Sequence, residues 1–208
     1  MMATLRERQP VSQAIDFWFS TGSTYTYLTV MRIERLAAEA GVKLRWRPFN
    51  VRQIMIEQNN IPFRDKPVKL AYMWRDIERR AARYGLPFKH PPPYPVDPEN
   101  LASRVGVLAA VEGWCPEYTR ATYASWFLEG RAPGEPDHLT GLLRRLGRDP
   151  AAVLARAESA EIRGKYDSET EAARQRGIFG SPSFLAAGEM FWGDDRLEDA
   201  LLWLRCHA

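Results

Sequence analysis

The chain has 208 residues, of which 45% are hydrophobic and 12% aromatic, and its formal net charge is +3. This length accommodates one large domain, or a small domain that carries an insertion. The arginines are scattered rather than grouped, which argues against a nucleic-acid partner, and no stretch approaches the ~18 apolar residues of a membrane span.

Residues 1–14 are polar and contain Pro10, so they are predicted to be a flexible lead-in. They lack the apolar run of a secretory signal, and a cytoplasmic location is expected. The two cysteines, Cys115 and Cys206, lie far apart and form neither a C-x-x-C motif nor a metal-ligand spacing. The histidines also lack ligand-like spacing, so no metal site is predicted.

The stretch around Ser23 organises the rest of the chain. Residues 15–19 form a short apolar and aromatic run that predicts a buried strand, turn-forming residues 20–23 follow, and a helical pattern covers 24–40. The hydroxyl of Ser23 is therefore expected at or near a helix N-terminus. Because such a position favours anions and lowers thiol pKa values, we hypothesise that Ser23 holds the sulfur of an external thiol cofactor. From its position alone, an ordinary helix N-cap is the commoner role for a serine at such a turn.

The next elements lead into a long helical region. Residues 42–46 alternate as a strand and complete a parallel β-α-β unit, whereas residues 50–64 are predicted to be irregular. In the strong helical pattern over 66–84, one face carries Lys69, Tyr72 and Asp76. Further helices are predicted over 98–111, 116–128, 137–146, 151–157 and 162–176.

The end of the chain returns to mixed structure. Short strands are predicted at 184–186 and 189–192, and Asp195 with Glu198 fits a capping box that opens the last helix. Residues 15–52 and 177–208 are therefore predicted to form one α/β domain, with residues 53–176 as a helical insertion domain.

This order of elements resembles the thioredoxin-like fold, β-α-β followed by β-β-α, with a large all-helical insertion, as in the DsbA-like superfamily. Within it, the chain resembles the 2-hydroxychromene-2-carboxylate isomerases and the kappa-class glutathione transferases. The resemblance covers most of the chain and rests on four motifs. They comprise Asp16, Phe17, Phe19, Ser23, Tyr25, Tyr27 and Leu28; Tyr72, Met73 and Asp76; Phe179, Gly180 and Pro182; and residues 191–197.

The resemblance implies glutathione as cofactor and assigns roles around its sulfur. Ser23 matches the serine that replaces the active-site cysteine of disulfide oxidoreductases and contacts the glutathione sulfur. Pro182 matches the cis-proline that faces this serine. Ser181 is expected to offer its backbone N–H and C=O to the cysteinyl part of glutathione.

Other positions match polar residues that surround the rest of the cofactor. Asp194 and Asp195 match the pair that receives the γ-glutamyl end, and Asp195 is the stronger match. Asn60, Lys69 and Asp76 match kappa-class polar positions around the cofactor and its pocket, although a solvated helix face explains Lys69 and Asp76 as well.

Two positions depart from the family pattern. Thr24 stands where a proline usually follows the serine, and Ser20 stands where an acidic residue is frequent. These departures leave the substrate more open than the fold.

The leading hypothesis is a glutathione-dependent isomerase that acts on a small aromatic-degradation intermediate by reversible thiolate addition. In the family reaction, 2-hydroxychromene-2-carboxylate interconverts with trans-o-hydroxybenzylidenepyruvate. A kappa-like transferase that conjugates electrophiles, and a non-catalytic thioredoxin-like binding module, remain alternatives. Disulfide exchange is rejected because Ser23 and Thr26 occupy the places of the two cysteines it requires. Family members are often dimers, so a homodimer is a further expectation.

Overall fold

The structure is a computed structural model that describes residues 14–61, 63, 65–89 and 91–207. Strands β1 (Ala14–Phe19), β2 (Lys43–Pro48), β3 (Ser183–Ala186) and β4 (Glu189–Trp192) form one sheet in the order β2-β1-β3-β4. The pair β1 and β2 is parallel, whereas β3 runs antiparallel to both β1 and β4. This arrangement confirms the predicted thioredoxin-like fold. Apart from Ala14, the predicted N-terminal lead-in lies outside the described residues.

Most of the described chain is helical, and its helices surround the sheet. In chain order they are α1 (Thr26–Val30), α2 (Ile33–Ala40), α3 (Val51–Glu57), α4 (Pro67–Arg83), α5 (Leu101–Glu112), α6 (Cys115–Glu129), α7 (Pro136–Arg145), α8 (Pro150–Ala157), α9 (Ala160–Gln175) and α10 (Leu197–His207). Helices α4 to α9 confirm the predicted all-helical insertion, while the proposed domain boundaries stay a prediction. Within the described ranges, no helix is long and apolar enough to cross a membrane.

Strand β1 is the centre of the core. All six of its residues are buried, as expected for a strand with neighbours on both edges and both faces covered. Phe17 and Phe19 pack into the main core on one face, and Trp18 packs with Phe49 and Ile178 on the other. Because both faces are anchored, the end of β1 is a rigid base for the turn that follows it.

The prediction of one helix over residues 24–40 is wrong, because the chain forms two helices there. Arg32 has a φ of −127° between α1 and α2. Its Nε donates to the Leu28 carbonyl at 3.0 Å, which is the acceptor that its backbone N–H would have in a continuous helix. The buried guanidinium also pairs with Glu198 and donates to the Asp194 carbonyl, so it connects this break to the end of the chain.

The prediction that residues 50–64 are irregular is also wrong for their first half, which forms α3. The side-chain oxygen of Asn50 accepts a hydrogen bond from the backbone N–H of Gln53, as a helix N-cap does. Val51 and Ile54 bury one face of this short helix against the cluster around Trp18. Val51, together with Arg52 and Met55, also lies along the side of α3 that lines a cavity.

Candidate active site

The turn at the end of β1 is held by hydrogen bonds from its own backbone and from α6. The Ser23 N–H donates to the Ser20 carbonyl at 2.9 Å. The buried hydroxyl of Tyr123 lies 2.9 Å from the Ser20 carbonyl oxygen and 3.0 Å from that of Ser23, so it can donate to either. This tyrosine therefore sets the position of the turn from the helical part of the molecule.

The side chain of Ser23 faces the segment before β3. Its Oγ donates to the Ser181 carbonyl at 2.7 Å, and the next peptide bond, Ser181–Pro182, is cis as expected. The Ser181 hydroxyl accepts from the Ser20 N–H at 2.9 Å and lies 2.9 Å from the Thr26 hydroxyl. These bonds fix the Ser23 hydroxyl opposite the Ser181–Pro182 peptide.

The helix after the turn starts later than predicted. Helix α1 begins at Thr26 and has five residues, so its dipole at Ser23 is weaker than that of a long helix. Local donors remain, since the backbone N–H groups of Thr24 and Tyr25 have no acceptor among the described residues. The backbone near Ser23 therefore favours an anion through these individual N–H groups more than through a helix dipole.

Ser23 lines a cavity of about 340 Å³ between the sheet and the helical part. The turn, α3, α4, the loop before α5 and the end of β4 contribute its walls. Most of the lining surface is apolar and comes from Val51, Met55, Ile61, Phe63, Tyr72, Met73, Tyr94, Val96 and Trp192. A cavity of this size and lining suits a small aromatic ligand.

Charged side chains in the cavity wall are mostly basic. Arg52 and Lys69 contribute two cations. The carboxylate of Asp97 accepts from the Ala102 N–H at 2.9 Å, and from the Ser103 N–H and hydroxyl at 2.9 and 2.8 Å. These donors at the start of α5 hold the carboxylate in place, so the wall carries two cations and one anion that points toward α5.

A model of the DSBA-like thioredoxin domain matches residues 14–202. The chain belongs to the DSBA-like thioredoxin family. A 2-hydroxychromene-2-carboxylate isomerase from Pseudomonas putida is 31% identical over 186 residues, which cover 88% of this chain and 90% of that protein. Glutathione S-transferase kappa 1 from Caenorhabditis elegans is 31% identical over 84 residues, which cover 40% of this chain and 37% of that protein.

A solved structure supports the same relationship. The selenomethionine form of a 2-hydroxychromene-2-carboxylate isomerase matches with a TM-score of 0.79 and 29% sequence identity, over 88% of this chain and 90% of that one. The relationship to isomerases and kappa-class transferases that the motifs indicated is therefore confirmed.

The DSBA-like fold brings three of the proposed site residues to the cavity, namely Ser23, Lys69 and Ser181. Pro182 lies directly behind Ser181 through the cis peptide. Asp76 does not line the cavity, but its Oδ2 accepts a hydrogen bond at 3.0 Å from the hydroxyl of Tyr25, which does. Burial and this carboxylate raise the pKa of Tyr25 well above its ordinary value, so Tyr25 stays a neutral donor.

The remaining proposed positions lie outside the cavity wall. Asn60 is exposed, and its backbone N–H donates to the Met55 carbonyl at 2.8 Å beyond the end of α3. Asp194 is 1% exposed, with Oδ2 2.8 Å from Nη2 of Arg80, and burial raises its pKa to about 7. Asp195 is 48% exposed and faces the same arginine at 4.0 Å. Of the two, only Asp195 is open to a ligand.

Two residues of the site were missed by sequence reasoning. Arg52 lies in a segment predicted to be irregular, although Asn50 followed by Val51 and Ile54 carries the N-cap and spacing of a short helix. Tyr123 is one of several aromatic residues of α6, and nothing in its local pattern distinguishes it. Its contact with the turn arises from tertiary packing over about one hundred residues of chain, and sequence periodicity does not encode such a contact.

Proposed function

We propose that this protein is a glutathione-dependent isomerase that acts on 2-hydroxychromene-2-carboxylate or a closely related intermediate of aromatic degradation. The observation that carries the proposal is the Ser23 hydroxyl, held opposite the Ser181–Pro182 peptide at the edge of an apolar cavity. The named isomerase relatives support the reaction class.

Glutathione suits the groups at this site. The Ser181 N–H has no acceptor in the described part of the chain, and its carbonyl accepts from the Ser23 hydroxyl. An extended peptide can pair with such a backbone segment, as the cysteinyl part of glutathione would. The exposed carboxylate of Asp195 suits the ammonium of the γ-glutamyl end, and Lys69 supplies a cation for a carboxylate of the tripeptide.

An external thiol is needed because the chain's own thiols are poorly placed. Neither cysteine lines the cavity. Cys115 is buried in α6, where burial raises the pKa of its thiol to about 12, and Cys206 lies on the exposed surface of α10. When bound, glutathione supplies a thiolate that adds reversibly to a conjugated double bond, allows rotation, and is returned unchanged.

The residues of the chain would keep that sulfur ionised and would exclude water from the reacting double bond. Rotation of the Ser23 hydroxyl from the Ser181 carbonyl toward the sulfur makes a charge-assisted hydrogen bond, worth about 1.5–3 kcal/mol. The N–H groups of Thr24 and Tyr25, which have no acceptor among the described residues, are further donors next to Ser23 in the chain. The apolar wall excludes water, which strengthens each of these interactions.

A kappa-like transferase is the second candidate, favoured by the partial match to a kappa-class glutathione transferase. The two activities differ in what happens to glutathione. An isomerase leaves the free-thiol concentration constant during turnover, whereas a transferase consumes one thiol for each electrophile.

The test follows isomerisation of 2-hydroxychromene-2-carboxylate by ultraviolet absorbance, with and without glutathione, while free thiols are titrated. We expect turnover only with glutathione and no loss of thiol. Loss of thiol matched to product formation would favour the transferase. Absence of heat on glutathione titration in a calorimeter, together with no turnover, would indicate the binding module.

A further inference from the structure

Arg52 is a cation of the cavity wall that the proposed mechanism does not use. It is the second residue of α3, and its side chain crosses to the loop before α5. Its Nη2 donates to the Val96 carbonyl at 2.9 Å, and its Nη1 donates to the Asp97 carbonyl at 3.4 Å. These neutral acceptors hold the guanidinium in place without cancelling its charge.

Among the described residues, Arg52 has no acidic side chain within ion-pair distance. Over the described ranges, Arg52 forms no ion pair, whereas Arg45 and Arg47 on β2 both pair with Asp16. The nearby carboxylate of Asp97 is directed to the start of α5. A guanidinium has five N–H donors, and those of Arg52 that do not bond to these two carbonyls have no acceptor among the described residues.

The guanidinium also lies close to the proposed sulfur site. A Cβ placed on Gly22 would stand 3.8 Å from Nη2 of Arg52, and Gly22 directly precedes Ser23. The apolar side chains of Val51, Met55 and Val96 line the same part of the cavity. A planar ligand against this wall can present an anionic group to Arg52 while its double bond faces Ser23.

We propose that Arg52 binds the carboxylate of the substrate and thereby selects aromatic acids over their neutral analogues. The fork of a guanidinium matches a carboxylate in bidentate geometry, which fixes the orientation of the acid. That the bound acid is then isomerised rests on the proposed function. That Arg52 selects an acid does not depend on it. Lys69 is the competing cation; it is exposed on α4, with its Nζ 5.8 Å from the Phe63 ring.

The test measures binding of chromone-2-carboxylate and of its methyl ester, by tryptophan fluorescence and without glutathione. For Arg52→Met we expect affinity for the acid to fall about ten- to hundred-fold, while affinity for the ester stays nearly unchanged. Arg35→Met, which removes a 64% exposed cation on α2, is the matched control and should bind both as the wild type does. An equal loss for acid and ester, or no loss, would overturn the proposal.

Two further variants separate loss of the guanidinium fork from misfolding, and Arg52 from Lys69. Arg52→Lys retains a charge and a donor for the Val96 carbonyl but lacks the fork, so it should fold and show an intermediate loss for the acid alone. If Lys69→Met instead loses affinity for the acid but not for the ester, the assignment to Arg52 is wrong. Acid selectivity in a wild type without isomerase activity would retain this inference while the proposed function fails.

Discussion

Replacement of Ser23 by alanine is the sharpest perturbation of the proposed site. The variant removes one hydroxyl, whose only hydrogen bond in the described structure is the 2.7 Å bond to the Ser181 carbonyl. Ser181 keeps its bonds to the Ser20 N–H and to the Thr26 hydroxyl, and Tyr123 still holds the turn. We therefore expect the fold to survive, with a loss of about 1 kcal/mol in the free energy of unfolding.

The effect on the bound thiol should be larger than the effect on folding. A charge-assisted hydrogen bond is worth about 1.5–3 kcal/mol, and one pKa unit corresponds to about 1.36 kcal/mol. The pKa of bound glutathione should therefore rise by about one to two units in Ser23→Ala. The loss of thiolate and of turnover should therefore approach about ten- to hundred-fold at pH values well below the pKa of the bound thiol, and it should shrink as the pH rises past that pKa.

The assay is an ultraviolet titration of the thiolate of enzyme-bound glutathione, paired with isomerase turnover over the same pH range. Ser168→Ala is the matched control, because its hydroxyl makes a bond of the same length, 2.7 Å, to the Gly164 carbonyl on the exposed surface of α9. The control should match the wild type in both measurements. An unchanged thiol pKa together with near-wild-type turnover in Ser23→Ala would refute the role assigned to this hydroxyl.

Three further variants test the surroundings of the site. In Gly180→Ala the added Cβ would lie 2.8 Å from Cδ1 of Trp192, and the displaced indole should lower stability by about 1–3 kcal/mol and alter tryptophan fluorescence. Tyr123→Phe removes the donor to the turn, so we expect a loss of about 1 kcal/mol in thermal unfolding and a lower kcat. Burial raises the pKa of Asp194 to about 7 from its ordinary 3.8, so the stability gained from its protonation is complete below pH 3.8 and is lost as the pH rises through about 7. Asp194→Asn should remove this component, and melting curves recorded across this pH window should show a smaller decline than the wild type; an unchanged decline would count against it.

The sequence predicted those parts of the site that depend on the hydrophobic pattern of a single contiguous segment. The apolar run of β1 and the turn residues after it are contiguous in the chain, so the end of the strand and the position of Ser23 followed from periodicity. The pairing of Ser23 with the Ser181–Pro182 peptide joins segments 158 residues apart. That contact came from the family resemblance, since no pattern within either segment specifies it.

Long-range electrostatics explains both the wrong prediction of one helix over residues 24–40 and the burial of Asp194, whose role as a ligand stays a prediction. Arg32 ends α1 because its side chain reaches Glu198 and the Asp194 carbonyl on the far end of the chain. Asp194 looked like a ligand for the γ-glutamyl group, but the fold buries it beside Arg80 of α4. In both cases the partner lies more than one hundred residues away, so local charge patterning could not reveal it.

The departure at Thr24 changes the hydrogen-bond donors beside Ser23. The Thr24 hydroxyl is buried and donates to the sulfur of Met73 at 3.0 Å, so it ties the turn to α4 instead of contacting an external thiol. A proline at this position would have no backbone N–H. Thr24 has one, and it has no acceptor among the described residues. The exchange therefore adds a donor beside Ser23, and an anionic sulfur there should be held more strongly than with proline.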